Sequence, residues 1–90
     1  MNAQKPEWVV TAVKPNQNDY TLLVTFVGGV KKIFDVKPLL NLPILAKLKS
    51  PGFFMRAQAL HGTVVWDDDT DIAPEHLFTA GVPLDVDAAP

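Results

Sequence analysis

The chain has 90 residues, 48% of them hydrophobic and 20% charged, which suits one packed domain with a modest core and excludes both intrinsic disorder and a second domain. It has no cysteine, so disulfide frameworks, thiolate metal sites and cysteine nucleophiles are excluded, and a reducing, cytoplasmic setting is expected. The formal net charge of −2 conceals a split: residues 1–66 carry all eight Lys and Arg against three acidic side chains, whereas residues 67–90 carry seven acidic side chains and no base.

Residues 1–7 lack the continuous apolar run of a signal peptide, and no stretch approaches the ~20 apolar residues that span a bilayer, so neither secretion by a standard signal nor membrane insertion is expected. Those residues are read as a flexible N-terminus, residues 8–79 as a single domain, and residues 80–90, small and proline-containing, as a flexible tail. Trp8 to Val13, rich in β-branched residues, predicts a first strand, closed by a loop over Lys14 to Asp19. Tyr20 to Val27 alternates with a period of two, placing Tyr20, Leu22, Val24 and Phe26 on one face. Gly28-Gly29 supplies the positive φ values of a tight two-residue hairpin turn, and Val30 to Val36 is the returning strand.

At Pro38 the period changes. Leu39, Leu40, Leu42, Ile44, Leu45 and Leu48 fit helical spacing, and Pro43 is best placed at the start of a helix that follows a short turn. Lys47 and Lys49 suit its C-terminus, and Ser50-Pro51-Gly52 stops it before Phe53-Phe54 returns to the core. Met55 to Leu60 and Thr63 to Trp66 form a second hairpin across His61-Gly62. The strand then runs through the acidic turn Asp67-Asp68-Asp69-Thr70-Asp71 into a short helix begun by Pro74, with Glu75 at its positive end. The order β-β-β-α-β-β-α predicts an α+β fold: a small antiparallel sheet built from two hairpins, with short helices packed on one face.

Spaced positions in these elements carry a resemblance: Phe26-x-x-Gly29, then Phe34-Asp35-Val36-x-x-Leu39-Leu40, then Leu48-x-x-Pro51-x-x-Phe54, and last Val65-Trp66-x-x-x-x-Asp71-Ile72-x-Pro74-Glu75-x-Leu77. Over roughly residues 8 to 78 this pattern resembles the bacterial domain-of-unknown-function family 2442. The chain departs from it at Asp68 and Asp69-Thr70, where many members have a proline after the Trp-Asx region and a glycine in the turn. The resemblance implies a small α+β fold, occasional fusion to helix-turn-helix DNA-binding domains, and gene neighbourhoods suggestive of toxin–antitoxin pairs with family 4160.

The constellations that could carry chemistry are sparse. Asp67, Asp69 and Asp71 alternate like the start of a calcium loop, but the glycine expected at the sixth position is Ile72 and the glutamate expected at the twelfth is Phe78, which excludes an EF-hand. His61 and His76 fit no zinc spacing, Ser50 lies in a helix-stop signal, and no helix N-terminus follows Gly28-Gly29 to cradle a phosphate. A solvated acidic turn that caps the helix below it is expected in preference to a weak divalent-ion site on Asp67, Asp69, Asp71 or Glu75, and no cofactor or enzymatic activity is expected.

Two surfaces are expected to make contacts. The first is the segment around Trp66, Asp67, Asp69, Asp71 and Glu75, facing another protein, such as a basic toxin-like product of a neighbouring gene. The second is a basic patch of Lys31, Lys32, Lys47, Lys49 and Arg56, the residue types that contact phosphates, which supports the alternative of a DNA-linked or nucleic-acid-binding accessory domain. The half-apolar positions Leu23, Val27 and Ile33 add contact area for a partner or a second copy of the chain.

Overall fold

The computed structural model describes residues 6–84. These form β1 (Val10–Asn16), β2 (Thr21–Phe26), β3 (Lys31–Asp35), β4 (Gln58–Leu60), β5 (Thr63–Asp67), β6 (Thr70–Ile72) and β7 (Val82–Pro83). Two short helices, α1 (Pro51–Phe54) and α2 (Pro74–Ala80), and two 3-10 segments, Lys37–Asn41 and Pro43–Lys49, complete the described elements. The fold is α+β with antiparallel pairing throughout, as expected. The strands divide into a four-stranded sheet, β1-β2-β3-β7, and a three-stranded sheet, β4-β5-β6, where one sheet was expected. The segment between β3 and β4 crosses the core instead of turning back, so β4 starts a new sheet. The two sheets meet at a corner, where the Val10 N–H donates to the Gly62 carbonyl at 2.9 Å.

Alternation in β2 sets the core. Leu22, Val24 and Phe26 are fully buried while Thr21, Leu23 and Thr25 are half-buried on the other face. Leu45, Leu48, Phe54 and Leu77 from the helical segments join Val64, Trp66 and Ile72 of the second sheet in one cluster with them. Four residues, Val27-Gly28-Gly29-Val30, lie between β2 and β3 where two were expected, with both glycines at positive φ. Positive φ at both His61 and Gly62 gives β4–β5 the two-residue turn expected of it.

Prolines explain why the middle segment holds no long α-helix. Pro38, Pro43 and Pro51 each lie in the first turn of a short element, and the residue before a proline is driven out of the α region. Leu42 (ψ 128°) and Ser50 (ψ 116°) are accordingly extended, so each helical run ends before it can build a ladder of i→i−4 bonds. The expected helix from Pro43 is thus a 3-10 segment. Pro51 starts an α-turn, and Met55 and Arg56, expected in a strand, close that turn through N–H bonds to the Pro51 and Phe53 carbonyls.

Three further expectations are corrected. Lys14-Pro15-Asn16 is strand instead of loop, which β1 tolerates because it is an edge strand of its sheet and Pro15 need not donate. The acidic stretch is the turn of a further hairpin, since Thr70–Ile72 pairs back on β5. The tail is ordered from Gly81 to Leu84: Val82 pairs with Ile33, Pro83 with Lys32, and the Leu84 N–H donates to the Lys31 carbonyl at 3.0 Å. The rest of the expected tail, residues 85–90, and residues 1–5 of the expected flexible N-terminus lie outside the described residues. No described helix is long and apolar enough to cross a membrane.

Candidate functional site

The β5–β6 hairpin is anchored from below. Trp66 is 1% exposed, donates its indole N–H to the Phe54 carbonyl at 2.9 Å, and tilts against the Phe54 ring at 6.3 Å. It is core packing, and its place in the expected contact surface is corrected: an indole with its one donor satisfied inside the core has nothing to offer a partner. Thr63 ties the same hairpin across its width by donating its hydroxyl to the Ile72 carbonyl.

Asp67 organises the turn. One carboxylate oxygen accepts the Asp69 N–H at 3.0 Å and the other accepts the Lys47 ammonium at 3.0 Å. The Lys47 hydrogen bond, then the neighbouring Thr70 hydroxyl and the Asp69 N–H, hold the Asp67 carboxyl down at about 2, below its ordinary 3.8. The Thr70 hydroxyl, which is buried, makes no hydrogen bond of good geometry itself. Lys47 lies in the last turn of the second 3-10 segment, so this pair fastens the hairpin to the middle of the chain.

Around this anchor stand carboxylates of a different kind. Asp68, Asp69, Asp71 and Glu75 are exposed, and none makes an ion pair among the described residues. Asp68 and Asp71 border a half-open groove of about 230 Å³ on the three-stranded sheet, with Leu60, His61, Thr63, Val65 and Asp67 completing its lining. The register places Asp71 directly across from Val65. The groove therefore combines apolar contact area with a negative rim, a pairing that receives a chain bearing both apolar and cationic side chains. No group of three His, Asp or Glu side chains placed to hold a metal ion occurs among the described residues.

The basic patch is dispersed by the fold. Lys32 lies against α2, donating to the Phe78 carbonyl at 2.5 Å with its ammonium 3.6 Å from the Phe78 ring centre. Lys47 is held by Asp67, and Arg56 lies 5.2 Å from the Phe53 ring that Lys47 also approaches at 5.7 Å. Lys31 stands at the opposite sheet, beside the Thr25 hydroxyl at 3.5 Å. Lys49 is exposed, and its backbone carbonyl accepts the Tyr20 hydroxyl at 2.7 Å. Only Lys47 and Arg56 come together, around Phe53, a ring that residue spacing gave no reason to single out. His76 meets the Phe34 ring edge-on at 5.4 Å, and His61 is exposed in its turn.

No curated protein and no solved structure matches the chain. A family model described as "protein of unknown function (DUF2442)" matches residues 10–83, from the first residue of β1 to the last of β7. With every described strand inside that span, the chain belongs to the DUF2442 family.

Proposed function

We propose that the protein is a small interaction module that receives a basic partner protein on the acidic groove of its three-stranded sheet. The reading rests on one observation: Asp68 and Asp71 are exposed without an ion-pair partner on a hairpin that Trp66 and Asp67 hold rigid. Unpaired carboxylates on a rigid element are a standing charge with no internal use, and they speed encounter with a partner of opposite sign. An antitoxin-like pairing with a neighbouring gene product is one form such an encounter takes, and the cysteine-free composition favours the cytoplasm as its setting.

The test is co-purification with the product of the adjacent gene, for the native chain and for a variant carrying Asp68→Asn, Asp69→Asn and Asp71→Asn. The expected result is retention by the native chain at low salt, and loss at raised salt and in the variant, with both chains melting alike. Failure of the native chain to associate, or equal association by the variant, refutes the reading. Retardation of DNA by the native chain at low salt would favour a nucleic-acid role instead.

A further inference from the structure

The outer face of the four-stranded sheet is organised in rows. Lys14 pairs with Leu23, Leu23 with Ile33, and Ile33 with Val82, so one cross-strand row runs over all four strands and three of its four members are apolar. Val82 is 66% exposed, and Leu84, which continues β7 on the same side, is 38% exposed. Leu23 and Ile33 line an open groove of about 480 Å³ together with Lys14, Thr21, Asn16 and Met55. Leu23 and Ile33 are half-buried in this face, with the exposed Met55 at the groove's border. Charge is arranged about the row with opposite sign along β3: Lys31 stands on one side of Ile33 and Asp35 on the other, both on the outer face and both exposed.

We propose that this face is the interface of a two-fold dimer, in which two copies of the chain stack sheet on sheet with their β3 strands antiparallel. A two-fold axis along the apolar row sets Leu23, Ile33 and Val82 against their own counterparts, and brings Lys31 of each copy over Asp35 of the other. The face is thereby complementary to itself in both shape class and charge. Asp35 already holds Lys37 at 2.9 Å, and its free lone pairs accept the second ammonium. The one like-charge meeting is Lys14 with its counterpart, at the sheet edge, where both stems reach solvent. Growth by strand addition is disfavoured because both outer strands carry a proline, Pro15 in β1 and Pro83 in β7.

The size of the face sets the strength. Four strands at ~4.8 Å and about five residues at ~3.3 Å give a patch of roughly 19 by 17 Å, on the order of 650 Å² over both copies and below the range of stable interfaces, so the dimer is weak and transient and forms at high concentration. Sedimentation equilibrium of the full chain from micromolar to millimolar concentration is expected to show a monomer–dimer equilibrium. Ile33→Glu is expected to weaken it by about a hundredfold or more, because two carboxylates are then buried against each other.

Lys31→Glu and Asp35→Lys should each weaken self-association by about tenfold, while an equimolar mixture of those two variants should recover a heterodimer with both cross-pairs attractive. Because Asp35→Lys also removes the contact with Lys37, a second measurement uses the native sequence: isotope-filtered nuclear Overhauser effects between the Leu23 and Ile33 methyls of labelled and unlabelled copies. Methyl contacts between copies support the stacking. A chain monomeric at millimolar concentration, or a dimer without those methyl contacts, overturns it and leaves the face to a different partner.

Discussion

The lysine-bearing middle of the chain and its acid-bearing end look like mirror images in the sequence, and the fold uses them in opposite ways. Lys32, Lys37 and Lys47 are engaged by a helix-end carbonyl, by Asp35 and by Asp67 respectively. Of the acids in 67–75, Asp67 alone is paired. The difference teaches that charge counted along a sequence measures supply and says nothing of what remains free after folding. Here Lys32, Lys37 and Lys47 are spent on holding elements together, whereas Asp68, Asp69, Asp71 and Glu75 are left outside.

The comparison is broken most directly by removing what keeps the acidic hairpin in place. Trp66→Ala empties the core beneath it and orphans the Phe54 carbonyl, at a cost of about 3–5 kcal/mol, and chemical denaturation of the variant should show most of the chain's stability gone. Gly81→Ala comes next. A Cβ there would meet the Leu77 carbonyl oxygen at 2.6 Å and the Lys32 Cβ at 3.0 Å. The expected loss is about 1–3 kcal/mol, with β7 hydrogen exchange accelerating first.

The engaged lysines should respond less strongly, and differently from one another. Lys32→Met keeps the apolar stem and deletes the contacts with the Phe78 ring and carbonyl, lowering stability by about 1–2 kcal/mol by denaturant melts. Lys47→Met acts through pH. The Asp67 carboxyl is lowered to about 2 in the folded chain, so its stabilisation is complete above the unfolded value of ~3.9 and disappears as pH falls through the folded value. The native melting temperature should therefore decline between about pH 4 and about pH 2. In Lys47→Met that decline should shrink, with the Asp67 carboxyl carbon titrating nearer the ordinary range by NMR. The smallest effect is expected of Asp68→Asn with Asp71→Asn, which should leave the melting temperature unchanged, because neither carboxylate holds anything inside the chain.

How much of this was legible in the sequence depended on whether a local signal matched a local cause. Gly28-Gly29 and His61-Gly62 announced hairpins because positive φ is a property of the turn residues themselves. Alternation from Leu22 to Phe26 announced the core face for the same reason. The strand at Thr70–Ile72 was hidden because three residues carry too little pattern, and aspartates on both sides of Thr70 spell a loop. Val82–Pro83 was hidden because its pairing with β3 is decided by distant residues. The 3-10 character of Pro43–Lys49 was within reach, since Pro51 forbids a helical Ser50, but leucine spacing argued more loudly for a regular helix. Within the candidate site, the exposed Asp68 and Asp71 could be anticipated from composition. Trp66 at a strand end was readable as packing, but the dispersal of the lysines could not be read, because it depends on which elements the core brings together.

The pairing of β7 with β3 has a consequence for how the molecule is made. During synthesis β3 is complete long before residues 82 and 83 leave the ribosome, so its hydrogen-bonding edge stands open while everything between them is still being added. The last described strand then acts as a stopper, short enough to fit and ending in a residue that donates no bond to a newcomer. A chain cut ahead of Val82 would keep most of its core and lose that stopper, trading a modest loss of stability for a persistent invitation to misassemble.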